Sequence, residues 1–144
     1  MSVQQISVFL ENKPGTLKKM TGVLAANGID MRATSLAETK DFGIARLIVE
    51  DVLNAVNVLK ENDFVASLTP VLAIEIPDEA GGLDKLLEIF ADAEVNIEYM
   101  YAFPGGKRTD KACMIFRVAD TKSAEARLTG KGVKILTQEN IEEI

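Results

Sequence analysis

The sequence predicts an α+β fold built from two copies of one βαββαβ unit, each an antiparallel sheet with both helices on one face. The first observation is a repeated segment: Asn-Lys-Pro-Gly-Thr-Leu at 12–17 returns 66 positions later as Asp-Glu-Ala-Gly-Gly-Leu at 78–83. The second is that an apolar stripe of helical period and a strand opening follow each copy. The third is that 47–51 recurs at 116–120, now shifted by 69 positions. Internal repetition of this length indicates a duplicated structural unit.

The first copy contains all six elements in order. Its strands alternate apolar and polar residues, Pro14-Gly15 breaks the first strand, and Asn27-Gly28 is a typical helix stop. Asp51 is suited to cap the second helix because its carboxylate can accept a hydrogen bond from the first turn. The predicted elements are a strand over 3–10, a helix with the stripe Leu17, Met20, Val23 and Leu24, strands over 30–37 and 42–49 around a turn at 39–41, a helix with the stripe Val52, Ala55, Val56 and Leu59, and a strand over 65–68.

The second copy repeats this order and begins after Thr69-Pro70, which predicts two repeats at 1–69 and 70–144 joined by a short linker. Gly105-Gly106-Lys107-Arg108 is typical of a longer hairpin tip between its middle strands. The predicted elements are strands over 72–76, 95–103, 112–118 and 133–136, a helix with the stripe Leu83, Leu86, Leu87 and Phe90, a helix over 120–128, and one further helical turn over 138–144. This βαββαβ order is the ferredoxin-like split βαβ arrangement.

Composition narrows the function classes. The net charge of -6 argues against nucleic-acid binding, which needs a positive field. No apolar stretch is long enough to cross a membrane, and the N-terminus lacks the features of a signal peptide. Cys113 lies in an apolar run, so we expect its thiol to be buried. Because it is the single cysteine, no internal disulfide can form, which fits a reducing cytoplasm.

The chain contains no histidine. Ser-His-Asp and Cys-His catalysis and histidine-based metal sites are therefore excluded. No pairing of a nucleophile with a base suggests a mechanism, and Asp78-Glu79 alone is weak evidence for a cation site. We therefore expect a non-enzyme with no catalytic residues, no cofactor and no metal.

Candidate binding groups recur at the start of the first helix in each copy. A helix start presents unpaired N–H groups that favour a carboxylate, and Gly15, like Gly81-Gly82, leaves the backbone open to a ligand. Asp30 and Asn96 open the following strands, where either side chain can receive an ammonium group. Together these groups suit a free amino acid. Turn residues at such positions are also common for structural reasons alone, so both interpretations stay open.

The motif 11–17 with 24–31 resembles the ACT domain, as does 78–83 with 90–97, although Ala80 stands where the family usually has proline. This resemblance covers nearly the whole chain and implies two regulatory ACT-like repeats without a catalytic domain. ACT domains commonly bind amino acids where two such domains meet, through the first strand–helix loop and the start of the second strand. The resulting candidate ligand-binding residues are Asn12, Lys13, Pro14, Gly15, Thr16, Leu17, Asp30 and Met31 in the first repeat and Asp78, Glu79, Ala80, Gly81, Gly82, Leu83, Asn96 and Ile97 in the second.

These residues suggest a cytoplasmic sensor that binds a free amino acid between repeats or between chains, with a homodimer expected from the exposed strand edges. The alternative is a ligand-independent regulatory subunit that binds an enzyme, for example of amino-acid metabolism, through its sheet face.

One difference separates the repeats. The second strand of repeat two carries Ile97, Tyr99, Tyr101 and Phe103 on one predicted face, where repeat one has Met31, Ala33, Ser35 and Ala37. The aromatic side chains either fill the core of repeat two or reflect a pair of sites of which only one stays open.

Overall fold

The computed structural model describes residues 2–103 and 110–143. In that part of the chain there are seven strands and five helices. Their order is β1 (Val3–Glu11), α1 (Thr16–Ala26), β2 (Met31–Glu38), β3 (Phe42–Val49), α2 (Val52–Glu61), β4 (Val65–Pro77), α3 (Gly82–Asp92), β5 (Tyr99–Phe103), β6 (Lys111–Arg117), α4 (Thr121–Gly130), β7 (Ile135–Leu136) and α5 (Gln138–Glu143). The chain divides into two compact units, one over Gln4–Thr69 and the other from Pro70 onward together with the first residues of the chain.

The first unit has the strand order β2-β3-β1-β4, with β1 and β2 both antiparallel to β3. Because side chains alternate between the faces of a strand, every second residue of β1 points toward the helices. Ile6, Val8 and Leu10 there pack with Leu24 of α1 and Leu59 of α2 in one buried cluster. The apolar stripes predicted from the sequence are thus the surfaces that join the helices to the sheet.

The second unit has the order β7-β4-β6-β5, the same arrangement in equivalent elements. Its core includes Leu72 and Ile74 of β4, Leu86 of α3, and a pair of rings, Phe90 and Phe116, with centroids 4.9 Å apart. The predicted fold, two ferredoxin-like βαββαβ repeats with antiparallel sheets, is confirmed.

The join between the repeats differs from the sequence expectation. Instead of a linker at Thr69-Pro70 between two strands, β4 runs without interruption from Val65 to Pro77 and supplies a strand to each unit. Proline is tolerated in a strand where its missing N–H removes no ladder bond. The ladder between β4 and β6 begins only at Leu72, and the carbonyl of Pro70 accepts a hydrogen bond from Arg117 at 2.9 Å.

The second strand of repeat two is shorter than predicted. It begins at Tyr99 rather than Val95, because Glu94 ends the preceding helix in a left-handed conformation (φ 57°) and the chain stays irregular up to β5. Ile97 and Met100 pack against the helix-side core.

The aromatic side chains of β5 lie on the other face of the sheet. Tyr101 pairs with Ile115 and Phe103 with Cys113, whereas Met100 pairs with the core residue Phe116. The prediction that Ile97 shares a face with the tyrosines is wrong. The interpretation that aromatic side chains fill the core of repeat two holds for Phe103, which is buried, whereas Tyr99 and Tyr101 are only partly buried. The predicted hairpin tip at 105–108 lies outside the described residues.

Candidate functional site

The loop between β1 and α1 is held from both ends. The Asn12 N–H donates to the carbonyl of Asp41 at 2.9 Å, and its side-chain amide donates to the Glu38 carboxylate at 3.1 Å. The Thr16 hydroxyl is shared between two carbonyl acceptors, that of Glu11 at 2.8 Å and that of Lys13 at 3.0 Å. Asn12 thus ties the loop to the β2–β3 hairpin, whereas Thr16 bonds to carbonyls at the start of the loop, so both candidate ligand-binding residues already have partners in the protein.

Helix α1 begins without a side-chain cap. Gly15 occupies the N-cap position in the left-handed region (φ 89°), and no side chain hydrogen-bonds to the first turn there. Positive φ is readily adopted only by glycine, and a Cβ built on Gly15 has no heavy atom within 4 Å. The space above this helix start is therefore open. The Thr16 N–H donates to the Lys13 carbonyl at 3.5 Å and the Lys19 N–H to the Gly15 carbonyl at 3.0 Å, so an anion would use the N–H groups of Leu17 and Lys18 between them.

The loop between β4 and α3 repeats the same backbone. The Asp78 N–H donates to the Asp110 carbonyl at 3.0 Å, and the Lys85 N–H to the Gly81 carbonyl at 3.1 Å, as in the first loop. Gly81 is also left-handed (φ 84°) with open space above it. Gly82 differs, because a Cβ there would overlap the carbonyl oxygen of Pro77. Its small size is accounted for by contact with the protein's own backbone.

Two cavities adjoin the first loop. One of about 540 Å³ has Lys13, Pro14, Gly15 and Thr16 in its wall; a second, of about 340 Å³, is lined by Asn12, Lys13, Thr16 and Leu17 among others. The larger volume lies within the range of about 300–1,000 Å³ typical of small-molecule sites. The first loop of repeat one therefore combines an open helix start with room for a small ligand.

The two loops differ in charge. Lys13, Lys18 and Lys19 in the first correspond to Glu79, Asp84 and Lys85 in the second. The first turn of α1 contains no acidic residue, whereas that of α3 contains Asp84. Because a carboxylate near a helix N-terminus already interacts with the helix dipole, α3 is a poorer place than α1 for an anionic ligand.

One lysine of the first loop is already paired. Lys13 Nζ lies 2.9 Å from Glu11 Oε2, and this hydrogen bond holds the pKa of Glu11 below its usual value. Both side chains are exposed, so the pair is easily opened by a competing ligand.

The remaining candidates are placed less favourably for that cavity. Asp30 and Met31 follow the helix stop of α1 and line neither cavity. In the second repeat Asp78, Glu79, Ala80 and Gly81 are exposed, as is Asn96, while Leu83 and Ile97 pack against the core. The structure thus brings the loop residues of repeat one together around a cavity and leaves Asp30 outside it.

Several residues around the larger cavity escape the sequence prediction. These are Phe9, Glu11, Lys19, Phe42, Asp63 and Phe64. They come from β1, α1, β3 and the turn after α2, so no local motif unites them. One feature of the sequence points to Asp63: by the shift of 69 positions, its equivalent in the second repeat is Gly132. In the structure both residues adopt a left-handed conformation (φ 67° and 87°). A charged residue where the equivalent position is glycine indicates a difference of role between the repeats.

A further chemistry-bearing group is the thiol of Cys113. Cys113 is buried, and burial, with a smaller effect from the Glu75 charge, raises the pKa of its thiol to about 12. Across residues 2–103 and 110–143, no three acidic, cysteine or histidine side chains gather as a metal site would require. In the same ranges no helix has the length and apolarity needed to span a bilayer.

The duplicated split βαβ units and their equivalent glycine loops define a tandem pair of ferredoxin-like domains. The family description "ACT domain pair" matches residues 1–144. The chain belongs to this family and is a regulatory module. No curated protein matches it significantly.

Solved structures share the fold. Protein BT0572 from Bacteroides thetaiotaomicron is 36% identical, is matched over 100% of this chain and 98% of its own, and has a TM-score of 0.91. The ligand-free regulatory subunit of aspartate kinase from Thermus thermophilus is 19% identical over 92% of each chain, with a TM-score of 0.66. The corresponding subunit from Thermus flavus is 19% identical over 90% of each, with a TM-score of 0.62. The two kinase subunits show likeness of fold alone.

Proposed function

We propose that this ACT domain pair is a non-catalytic sensor of a free amino acid. The observation that carries the proposal is the uncapped start of α1 at Gly15, open to solvent beside the cavity of about 540 Å³. The ligand's carboxylate accepts hydrogen bonds from the first N–H groups of α1, where the helix dipole and neighbouring lysines favour negative charge. The repeats at 1–69 and 70–144 are the functional units.

The first repeat is the main site in this proposal. An anionic group in the cavities beside the start of α1 meets Lys13 and Lys19, whereas one approaching α3 meets Glu79 and Asp84. Like charges at short range disfavour binding, so the second loop serves at most as a weak site. One ligand per chain is the expected stoichiometry.

Regulation follows if the occupied and empty proteins differ in how their domains pair. The ligand changes that equilibrium only by its difference in affinity for the two arrangements. We propose that the chain works as a homodimer in the cytoplasm and that ligands lie where repeats or chains meet. Exposed apolar residues beside the first loop, among them Leu17 (39% exposed) and Leu36 (52%), support such an interface.

The test is a thermal-shift screen of the twenty amino acids, followed by calorimetry on those that stabilise the protein. A ligand that binds only the folded state at a hundredfold excess over its Kd adds about 2.7 kcal/mol of stability. Lys19→Asp, at the lysine of α1 that lines the cavity, should weaken binding, and Lys122→Asp in α4 is a control of the same charge change elsewhere. If both variants weakened binding equally, the loss would come from the change in net charge and not from the position of the lysine.

The candidate ammonium acceptors are tested separately. Asp30→Ala and Asn96→Ala each remove one acceptor, and unchanged binding in both would count against these contacts. Two equal sites per chain in calorimetry would contradict the charge argument for the first repeat.

A second candidate function is a ligand-independent subunit that binds an enzyme through the sheet. A cavity of about 520 Å³ on the helix-free face of the first sheet, lined by Ser7, Phe9, Ile44, Val65 and Ser67, favours it. Phe9 and Val65 are 47% and 70% exposed there. Absence of a thermal shift with every amino acid would favour this function over the sensor.

A further inference from the structure

We infer that the cavity of about 540 Å³ in the first repeat selects an amino acid with a large apolar side chain, and that Asp63 receives its ammonium group. This inference rests on the proposed function and deepens it. It is carried by three kinds of group in one cavity wall: aromatic rings, a lysine, and a carboxylate. A zwitterion with an apolar side chain needs all three.

The aromatic part of the wall consists of Phe9, Phe42 and Phe64. The rings of Phe9 and Phe42 have centroids 4.8 Å apart, yet these residues remain 47% and 43% exposed. Paired rings left open to water beside a cavity form an apolar surface that gains from being covered. A ligand side chain of several carbons covers this surface, whereas glycine or alanine leaves most of it in water.

The cationic part is Lys19, one turn into α1. Its Nζ lies 5.8 Å from the centroid of the Phe64 ring, so a cation–π contact holds the ammonium group near the cavity wall. Gly15 lines the same cavity, and a Cβ added to it would meet no heavy atom within 4 Å. The ligand carboxylate therefore has a lysine and a backbone approach on one side.

The anionic part of the wall contains two carboxylates, which differ in whether they are ion-paired. Glu11 is ion-paired with Lys13 at 2.9 Å. Asp63 also lines the cavity, and the described residues show no ion pair to it. Asp30 is outside the cavity wall. Asp63 is thus the carboxylate placed to receive an ammonium group while the carboxylate end of the ligand faces Lys19.

The second repeat supplies a matched reference. Gly132, the equivalent of Asp63, has φ 87° against 67° for Asp63, and its N–H donates to Thr129 as that of Asp63 donates to Lys60. Glycine therefore fits the backbone of this turn. Asp63→Gly removes the carboxylate without disturbing the fold, and Asp63→Asn removes only its charge.

The experiment is calorimetry of the full chain with phenylalanine, leucine, alanine and glycine, using the wild type, Asp63→Asn and Asp63→Gly. The control is Glu61→Gln, which removes one charge from the end of α2 outside the cavity wall. We expect phenylalanine or leucine to bind at least tenfold more tightly than alanine or glycine, both Asp63 variants to lose tenfold or more, and Glu61→Gln to bind as the wild type does. N-acetylphenylalanine, which has no ammonium group, should bind the wild type and Asp63→Asn equally weakly.

Results opposite to these distinguish an error in the ligand class or in the role of Asp63 from an error in the sensor function. Preference for glycine or for a charged amino acid would overturn the assigned ligand class. Binding that survives in Asp63→Asn but is lost in Asp30→Asn would overturn the role of Asp63 and leave the sensor intact. No binding of any amino acid to the wild type would overturn the sensor itself.

Discussion

Replacing Gly82 by alanine tests whether this glycine serves a ligand or the protein's own packing. Gly82 is the first residue of α3 and is buried. A Cβ at this position would overlap the Pro77 carbonyl oxygen, which is backbone and cannot rotate away. The equivalent residue in repeat one is Thr16, whose hydroxyl donates to the Glu11 carbonyl at 2.8 Å, so the first loop leaves room for a side chain where the second does not.

Two opposing effects set the magnitude. Glycine to alanine within a helix normally stabilises by about 0.5–1 kcal/mol through reduced chain entropy. Forcing an extra carbon into a packed position costs about 1–3 kcal/mol, and the overlap with a fixed backbone oxygen places Gly82 in the upper part of that range, at about 2–3 kcal/mol. The net expectation for Gly82→Ala is a loss of about 1–2.5 kcal/mol in the free energy of unfolding, or roughly 2–10 °C in Tm at 2–4 °C per kcal/mol.

Urea denaturation followed by far-UV circular dichroism measures this loss. Gly22→Ala is the matched control, because a Cβ there meets only the mobile end of Lys18, 3.3 Å away. We expect Gly22→Ala to stabilise the protein by about 0.5–1 kcal/mol. If Gly82→Ala were as stable as the wild type, the steric account would be refuted, and a ligand-related reason for this glycine would gain weight.

Four further predictions concern the helix caps, the turn at Glu94, and the reactivity and ionisation of the Cys113 thiol. Asp51 and Asp120 each accept a hydrogen bond from the backbone N–H three residues on, at 3.2 and 3.1 Å. Alanine at either position should lower the free energy of unfolding by about 0.5–2 kcal/mol, measured by urea denaturation. An unchanged midpoint would contradict the capping role. Glu94→Gly should stabilise the protein by up to about 1 kcal/mol. A left-handed conformation costs a residue with a side chain about 1–2 kcal/mol, and the entropic penalty of glycine offsets part of the gain from relieving that cost. A lower Tm in this variant would argue against relief of strain. With its pKa raised to about 12, Cys113 should react with a thiol reagent at pH 8 far more slowly in the native protein than in urea, whereas comparable rates would show the thiol to be accessible. Since the raised pKa keeps the native thiol protonated while the unfolded thiol ionises from about pH 9, this residue's contribution to stability should fall as pH rises from about 9 to 12.

Local sequence was sufficient wherever one segment carried its own signal. The stripe in α1, the stop at Asn27-Gly28 and the cap at Asp51 each follow from residues within a turn or two of one another. The β5 boundary was predicted too early because Glu94, an unusual residue for a left-handed position, gave no visible break before Tyr99. The predicted linker at Thr69-Pro70 was wrong because proline is read locally as an interruption, while its effect depends on which strand lies beside it.

The candidate site shows the same division. The loop at 12–17 was identifiable because its turn and helix start are formed by consecutive residues. Phe9, Phe42 and Asp63 were not, since they belong to three elements that meet only when the sheet has formed. Repetition and periodicity determined the duplicated fold and the position of the glycine loops, because both depend on hydrogen bonds and apolar spacing within short segments. Which side chains line a cavity, and whether a glycine faces open space or a neighbouring carbonyl, were decided only by tertiary packing, because distances between distant segments exist only in the folded chain.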